Sequence, residues 1–329
     1  MLPSGHIDFG YLSKKTVMNN RHIFSIYLLV IAVMSACNVA QEKNKESFTS
    51  GKLRLGVDES YSLMMDSQVF TYTSLNKYAE IEISHKPEAD VISDLLNDSI
   101  QSAVIGRELN AEELAFFKSK NRSPESMIIA HDGVALVLHP EVMDTTITLE
   151  QLQDIIQGKD SLWSQIYPGS QRGKIQVVFD NQKSCNARTL REKFGVETFP
   201  SWCFSQRSNE EVIEYVSQNK NAMGVISLSW ISDIEDPTCR KYRSMIRPLG
   251  IIDPSNVVKP ELARRPFQAY VFDKSYPLRR DVFYIRAGQR GTLGTGFANH
   301  LVGEKGQLII HKTGMVAATT PNRLVKIVN

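Results

Sequence analysis

The chain has 329 residues, enough for one large or two moderate domains. Hydrophobic residues make up 42% and charged residues 22%, the balance of a globular protein rather than a disordered or fibrous one. The formal net charge is +2, and Lys14, Lys15 and Arg21 against Asp8 in the first 36 residues account for it. A chain beginning at Cys37 is therefore neutral, which argues against a nucleic-acid partner but not against a small anion held at a local site.

The N-terminus reads as a targeting segment, residues 1–36. Arg21 and His22 precede "IFSIYLLVIAVMSAC", a basic flank followed by a short apolar run and small residues. The run is short for a membrane span. Met18 is an alternative start. Ser35, Ala36 and Cys37 resemble a lipoprotein processing site, which makes Cys37 the expected lipidation point; the alternative is a plain signal peptide. Residues 37–51 then read as a polar tether. Cys185, Cys203 and Cys239 remain, an odd number for an exported chain, and a Cys185–Cys203 disulfide is the expected pairing. The seven histidines form no paired metal motif, so neither a metal nor a cofactor is expected.

From Lys52 onward strands and helices alternate. "KLRLGV", "AEIEIS" and "QSAVIG" read as strands, and the segments after them as helices, a pattern that implies a parallel sheet. "SMIIAHDGVALVLHP" is a long apolar run interrupted by His131, Asp132 and Gly133. That interruption predicts a break where the chain passes between two lobes, with Asp132 and Gly133 as the hinge. "TLEQLQDIIQG" predicts a helix capped by Thr148. "GKIQVVF" predicts a strand, and "SNEEVIEYVSQN" a helix with a Ser208–Glu211 capping box. "AMGVISLSW", "QAYVF" and "DVFYIRA" read as strands, followed by two C-terminal helices.

One stretch carries more chemistry than the others. In "VVFDNQKSCNARTLREKFG", Val177–Phe179 is a strand, Asp180 and Asn181 make a turn, and Ser184 or Asn186 caps a helix. A helix start offers unpaired N–H groups and a positive dipole end, which is an anion-binding geometry; it is equally the start of any capped helix. Arg188 in the first turn opposes the dipole, a cost that a bound anion or an ion pair offsets. Asp58 and Glu59 suit a helix start as dipole partners.

These blocks, taken in order, resemble a known family. "VDESYS", "AVIGRELNAEE", "AHDGVALVLHPE", "ITLEQLQDIIQGK" with "LWSQI", "KSCNARTLREKF", "NAMGVISLSWISD", "YPLRRDVFYI" and "GFANHLVGEKGQLIIHKTGMV" are similar to the phosphate-binding lipoproteins of phosphate ABC transporters, over Lys52 to Val316. The resemblance implies an α/β, two-lobed type II periplasmic binding protein fold with a ligand cleft. Lobe 1 would comprise residues 52–132 and 266–329, and lobe 2 residues 133–265. It implies capture of phosphate or a similar tetrahedral oxyanion and delivery to an ABC permease. The protein would be a monomer in the bacterial cell envelope, periplasmic or surface-exposed, touching the membrane only through its lipid. The ligand residues it implies are Ser60, Arg107, Ser184, Cys185, Asn186 and Arg188.

The chain departs from that family at the turn. Cys185 and Asn186 stand where Gly and Thr follow the Ser, and Asp180 stands where an Arg is common. Gly106, Arg107 and Glu108 replace a loop that carries a proton-accepting Asp. Arg107 is expected either to supply the missing cation or to pair with Glu108 or Glu112. Two other readings are weighed. One is a sensor or surface interaction lipoprotein that keeps the fold without transport. The other is a Ser or Cys hydrolase, which is set aside because no G-x-S-x-G frame and no activating base accompany Ser184 or Cys185.

Overall fold

The computed structural model describes residues 46–256 and 259–319; Cys37 and the targeting segment lie outside them. Thirteen strands are formed among these residues. They are β1 (Ser50–Asp58), β2 (Tyr78–Lys86), β3 (Ser102–Ile105), β4 (Glu125–Leu138), β5 (Thr146–Thr148), β6 (Gln176–Phe179) and β7 (Cys203–Ser205). The series continues with β8 (Ala222–Ser227), β9 (Arg247–Pro248), β10 (Gly250–Ile252), β11 (Ala263–Arg264), β12 (Arg279–Arg286) and β13 (Val316–Ala317). The main sheet runs β2-β1-β3-β12-β4-β8-β6-β7, with β9 and β13 also on β4; β11-β10-β5 form a small second sheet.

The main sheet is two parallel sheets joined by a shared antiparallel spine. β1 pairs parallel with β2 and β3, as the alternating pattern predicts, and β6 pairs parallel with β7 and β8. Between them β4 runs unbroken. Its first part, through Gly133, pairs with β12, and its second part, from Val134, pairs with β8. The expected break at His131–Gly133 is absent because the polar residues there are satisfied within the strand. His131 Nδ1 meets Asp281 at 2.7 Å, and Asp132 is buried against Arg280. The change of sheet is made by a change of partner.

Period-two alternation sorts the core. In the first lobe Leu55, Val57, Val104 and Tyr284 face one cluster, while Ala103, Ile105 and Ile285 face another. In the second, Leu136, Val177, Phe179 and Val225 face one cluster and Ala135, Val137, Val178 and Ile226 the other. Sheets covered on both faces need continuous apolar strands, and every residue of β8 is buried. The covering helices include α1 (Ser62–Leu75), α2 (Glu88–Leu96), α3 (Ala111–Ser119), α4 (Leu149–Gln157), the short α5 (Trp163–Ile166), α6 (Cys185–Phe194) and α7 (Asn209–Gln218). They continue with α8 (Ser229–Ser232), α9 (Pro237–Met245), α10 (Gln268–Phe272), α11 (Leu293–Val302) and α12 (Glu304–Lys312).

Local capping chemistry sets the starts of several of these helices. Thr148 and Gln151 form a full capping box on α4, and Asn110 and Glu113 one on α3. Ser208 accepts from Glu211 N, but the Glu211 carboxylate turns to Arg207 N, so the box expected there is half formed. "QAYVF", read as a strand, is the helix α10. Its apolar run is too short for period to separate the two, and Pro266 precedes it.

The contact of α7 with β8 is close enough to forbid a side chain. A β-carbon on Gly224 would lie 2.8 Å from Val137, Val212 and Val216 methyl carbons. Gly224→Ala is therefore expected to lower unfolding stability by about 1–3 kcal/mol through overpacking. Urea denaturation checks this, and an unchanged midpoint would contradict the packing.

Candidate functional site

Strand ends and helix starts from the two lobes meet at one buried cluster. β1 ends at Asp58 and turns through the 3-10 segment Glu59–Tyr61 into α1. β6 ends at Phe179, and Ser184 caps α6, accepting from Ala187 N at 3.3 Å and donating to Asp180 Oδ1 at 2.7 Å. The two ends touch through Asp58. Its Oδ1 accepts from Ser60 N (3.0 Å) and from the Cys185 thiol (3.0 Å), and its Oδ2 accepts from Cys185 N (3.2 Å). Cys185 Sγ also lies 3.4 Å from Ser60 Oγ and 3.6 Å from Tyr61 OH. Burial pushes the Cys185 thiol and the Tyr61 phenol well above their usual pKa ranges, so both enter the cluster as neutral hydrogen-bonding groups.

Two further carboxyl groups cross between the lobes. Glu59 accepts from Asn209 N (3.2 Å) at the start of α7 and from the Asn209 side chain. Asn209 in turn accepts from Asn186 Nδ2 and Ser227 N, both at 3.2 Å. Glu88, at the start of α2, binds the Arg188 fork and accepts from Gly106 N at 2.8 Å. Arg188 completes the ring by donating to Gly106 O at 2.9 Å. Gly106 is closely packed: a β-carbon there would stand 3.1 Å from Arg188 Nη2, Cys185 Cβ and Tyr61 OH, so these side chains would have to give way by a few tenths of an ångström.

Beneath this ring lies one fully buried ion pair. Arg280 on β12 donates through Nε (3.0 Å) and Nη2 (2.7 Å) to Asp132 Oδ2 on β4, which also accepts from Ser227 Oγ at 3.0 Å. Ser227 Oγ contacts Ser229 Oγ at 2.9 Å, and Ser229 Oγ and Trp230 Nε1 both donate to Ser60 O at 3.2 Å. The guanidinium carbon of Arg280 lies 5.3 Å from the centre of the Tyr61 ring. Among the described residues, three buried polar atoms here have no hydrogen-bond partner: Arg280 Nη1, Asp132 Oδ1 and Asn186 Oδ1. Buried polar atoms are normally satisfied, so an uncommitted guanidinium nitrogen beside a helix start is an open position for an acceptor.

The structure brings together Ser60, Ser184, Cys185 and Asn186, and places Arg188 at the rim with its fork committed to Glu88. Arg107 stands outside the cluster. Its fork grips Glu113 at 2.8 and 2.7 Å and donates to Glu108 O, so the expected pairing with Glu108 or Glu112 falls instead on the capping-box residue of α3. Asp132 and Gly133 sit within β4, Asp132 in the buried pair. The expected Cys185–Cys203 disulfide is not formed; Cys185, Cys203 and Cys239 are free and buried, and the Cys185 sulfur is turned to Asp58. Sequence reasoning missed Arg280, Asn209, Ser227, Ser229 and Glu88, and it gave Asp58 and Glu59 only a dipole role. One signal was available for Arg280. It alternates with Val282 inside "RRDVFYI", so the period places a cation on the inward face. The described residues contain no group of three or more His, Cys, Asp or Glu side chains arranged for a metal ion.

Two lobes sharing a crossing strand, with helix starts from each closing on a buried polar cluster, define a two-lobed binding protein. The chain belongs to the PBP superfamily, whose domain matches residues 42–305. It is 20% identical to the phosphate-binding protein PstS of Borreliella burgdorferi, over 91% of this chain and 99% of that one. A putative phosphate ABC transporter substrate-binding protein from Clostridium perfringens, solved with bound phosphate, superposes with a TM-score of 0.67 at 19% identity. It covers 82% of this chain and 100% of its own. An ABC-type phosphate transport receptor from Vibrio cholerae gives a TM-score of 0.60 at 20% identity, over 80% and 99% of the two chains.

The Glu59 carboxyl is pushed from about 4.5 up to about 8, first by burial and then by Asp180, and the Asp180 carboxyl is raised by its own burial and by Asp58. A raised carboxyl pKa means that the unfolded chain ionises while the folded one holds the proton. Stability from Glu59 is thus complete below about pH 4.5 and falls as pH rises to about 8. Melting temperature should decline across that window in the native protein and decline less in Glu59→Gln, where no proton is lost. Parallel profiles would contradict this placement of Glu59.

Proposed function

We propose that the protein is an exported, lipid-anchored receptor that binds inorganic phosphate or a similar tetrahedral oxyanion between its lobes. As a monomer, it delivers that anion to an ABC permease. The observation that carries this reading is the buried Arg280 with its free Nη1, set among neutral donors: the Ser60, Tyr61 and Ser229 hydroxyls, the Cys185 thiol and the first amide of α6. A cation with directed N–H groups, hydroxyls and a helix start are the donors that a tetrahedral anion requires. The PBP fold and the phosphate-binding relatives support the same ligand class. The Cys185 thiol is held neutral by burial and donates to an Asp58 already engaged by two N–H groups, an arrangement that favours hydrogen bonding over nucleophilic attack.

A second reading has one observation in its favour. Asp58 and Glu59 already occupy the donors at the starts of α6 and α7, as a fold serving as a sensor or interaction module without transport would have them. Calorimetric titration of the chain from Asn38, freed of phosphate by reversible unfolding, separates the two. Saturable phosphate binding is expected, with a weaker response to sulfate. Arg280→Gln should weaken phosphate binding at least about tenfold, and Arg107→Ala less than about threefold, because its fork faces Glu113. Heat from neither anion would favour the second reading.

The anchor rests on sequence alone. No described helix is long and apolar enough to cross a membrane. Cys37→Ser is expected to move the protein from the membrane fraction to the soluble one after cell fractionation. Retention with unchanged processing would argue against lipidation at Cys37.

A further inference from the structure

Three carboxyl side chains of the first lobe each reach a donor of the second. Asp58 takes the first amide of α6, Glu59 takes the first amide and the side chain of α7, and Glu88 takes the Arg188 fork. These donors are of the kinds that bind an anion from solution: two helix starts and a guanidinium. We propose that the protein carries its own carboxyl acceptors for these positions. Glu59 and Glu88 hold the lobes together whether or not an oxyanion is bound, and Asp58 keeps the place at α6 that the oxyanion takes by displacing it. This inference rests on the oxyanion reading for the identity of the displacing ligand, but not for the clasp itself.

The surrounding contacts are those of a fitted joint. Ala89 N donates to Lys183 O at 3.2 Å, and Lys183 Nζ meets Asp90 at 3.0 Å. Ser60 O receives two donors from α8. Apolar packing also crosses over: Cys185 of the second lobe belongs to a first-lobe cluster, and Leu63 of the first packs on a second-lobe cluster. Glu88 is buried, and a buried ion pair broken on one side leaves an uncompensated charge. An oxyanion arriving beside Asp58 meets like charge unless Asp58 lets go of Cys185 N. Bound anion and engaged Asp58 thus exclude one another, and the apparent affinity is reduced by the fraction of molecules in which Asp58 is engaged.

The test is small-angle X-ray scattering on phosphate-free full-length mature protein, alone and with saturating phosphate. The native protein should show the same radius of gyration in both. Glu59→Ala/Glu88→Ala should be larger without phosphate. Asn209→Ala/Arg188→Met removes the same two clasps from the opposite lobe and should expand likewise, which covers the case in which the first pair fails to fold. Contraction of the native protein on adding phosphate, or double variants as compact as the native, would overturn the clasp. Asp58→Ala should raise phosphate affinity at least about threefold in calorimetry, and a fall would overturn its place-holding role. If no variant binds phosphate while the scattering behaves as expected, the clasp stands and the oxyanion reading fails.

Discussion

The arrangement of the whole molecule depends on the ion pair between Asp132 and Arg280. Strand register puts them directly opposite on β4 and β12, and both are buried. The pair survives burial because one carboxylate oxygen collects three hydrogen bonds, two from the guanidinium and one from Ser227 of the second lobe. It lies at the point where β4 leaves one sheet and joins the other. Removing either partner would strand a charge in an apolar spine, a loss of about 3–5 kcal/mol for typical buried pairs. The same pair leaves one guanidinium nitrogen and one carboxylate oxygen uncommitted, so the element that ties the lobes also furnishes the cluster with a cation.

Around that anchor the interface between the lobes is built from polar groups of matched kind. Helix starts and an arginine on one side meet carboxyl groups on the other. A protein that binds an anion usually keeps carboxylates away from its donors. Here burial offsets part of the conflict, because Glu59 and Asp180 hold their protons to higher pH than free side chains do. The neutral Cys185 thiol contributes in the same direction, filling the space that a smaller residue would leave and donating to Asp58.

Much of the architecture was legible in the sequence. Short apolar runs, alternating in β1 and β2 and continuous in β3, β6 and β8, mark the strands together with β12, and capping residues such as Thr148 and Ser184 mark helix starts, because those signals are local. The misreadings have one origin. "QAYVF" as a strand, the break at His131–Gly133 and the Cys185–Cys203 disulfide all required knowing what lies across space. Of the cluster, Ser60, Ser184, Cys185 and Asn186 were found, since each belongs to a turn with its own signature. The loop after β3 points to Arg107 either as an anion ligand or as a surface ion-pair partner, and carries no sign of Arg280. Glu113, in the first turn of α3, claims the Arg107 fork, a competition visible only in three dimensions. Glu59 and Asn209 are 150 residues apart, and their contact leaves no mark on either segment.

The burial of Cys185 has a consequence for the chemistry of its sulfur. Thiolate is the form that reacts with oxidants and disulfides, and burial keeps this sulfur protonated and out of solvent. Cys203 and Cys239 are protected in the same way, each pushed up to about 12 by burial. The three cysteines of the described residues are therefore shielded from bridging to one another. For Cys185 the protection comes from the joint between the lobes rather than from one lobe's core, so its reactivity toward a thiol reagent is a clock for the separation of the two halves.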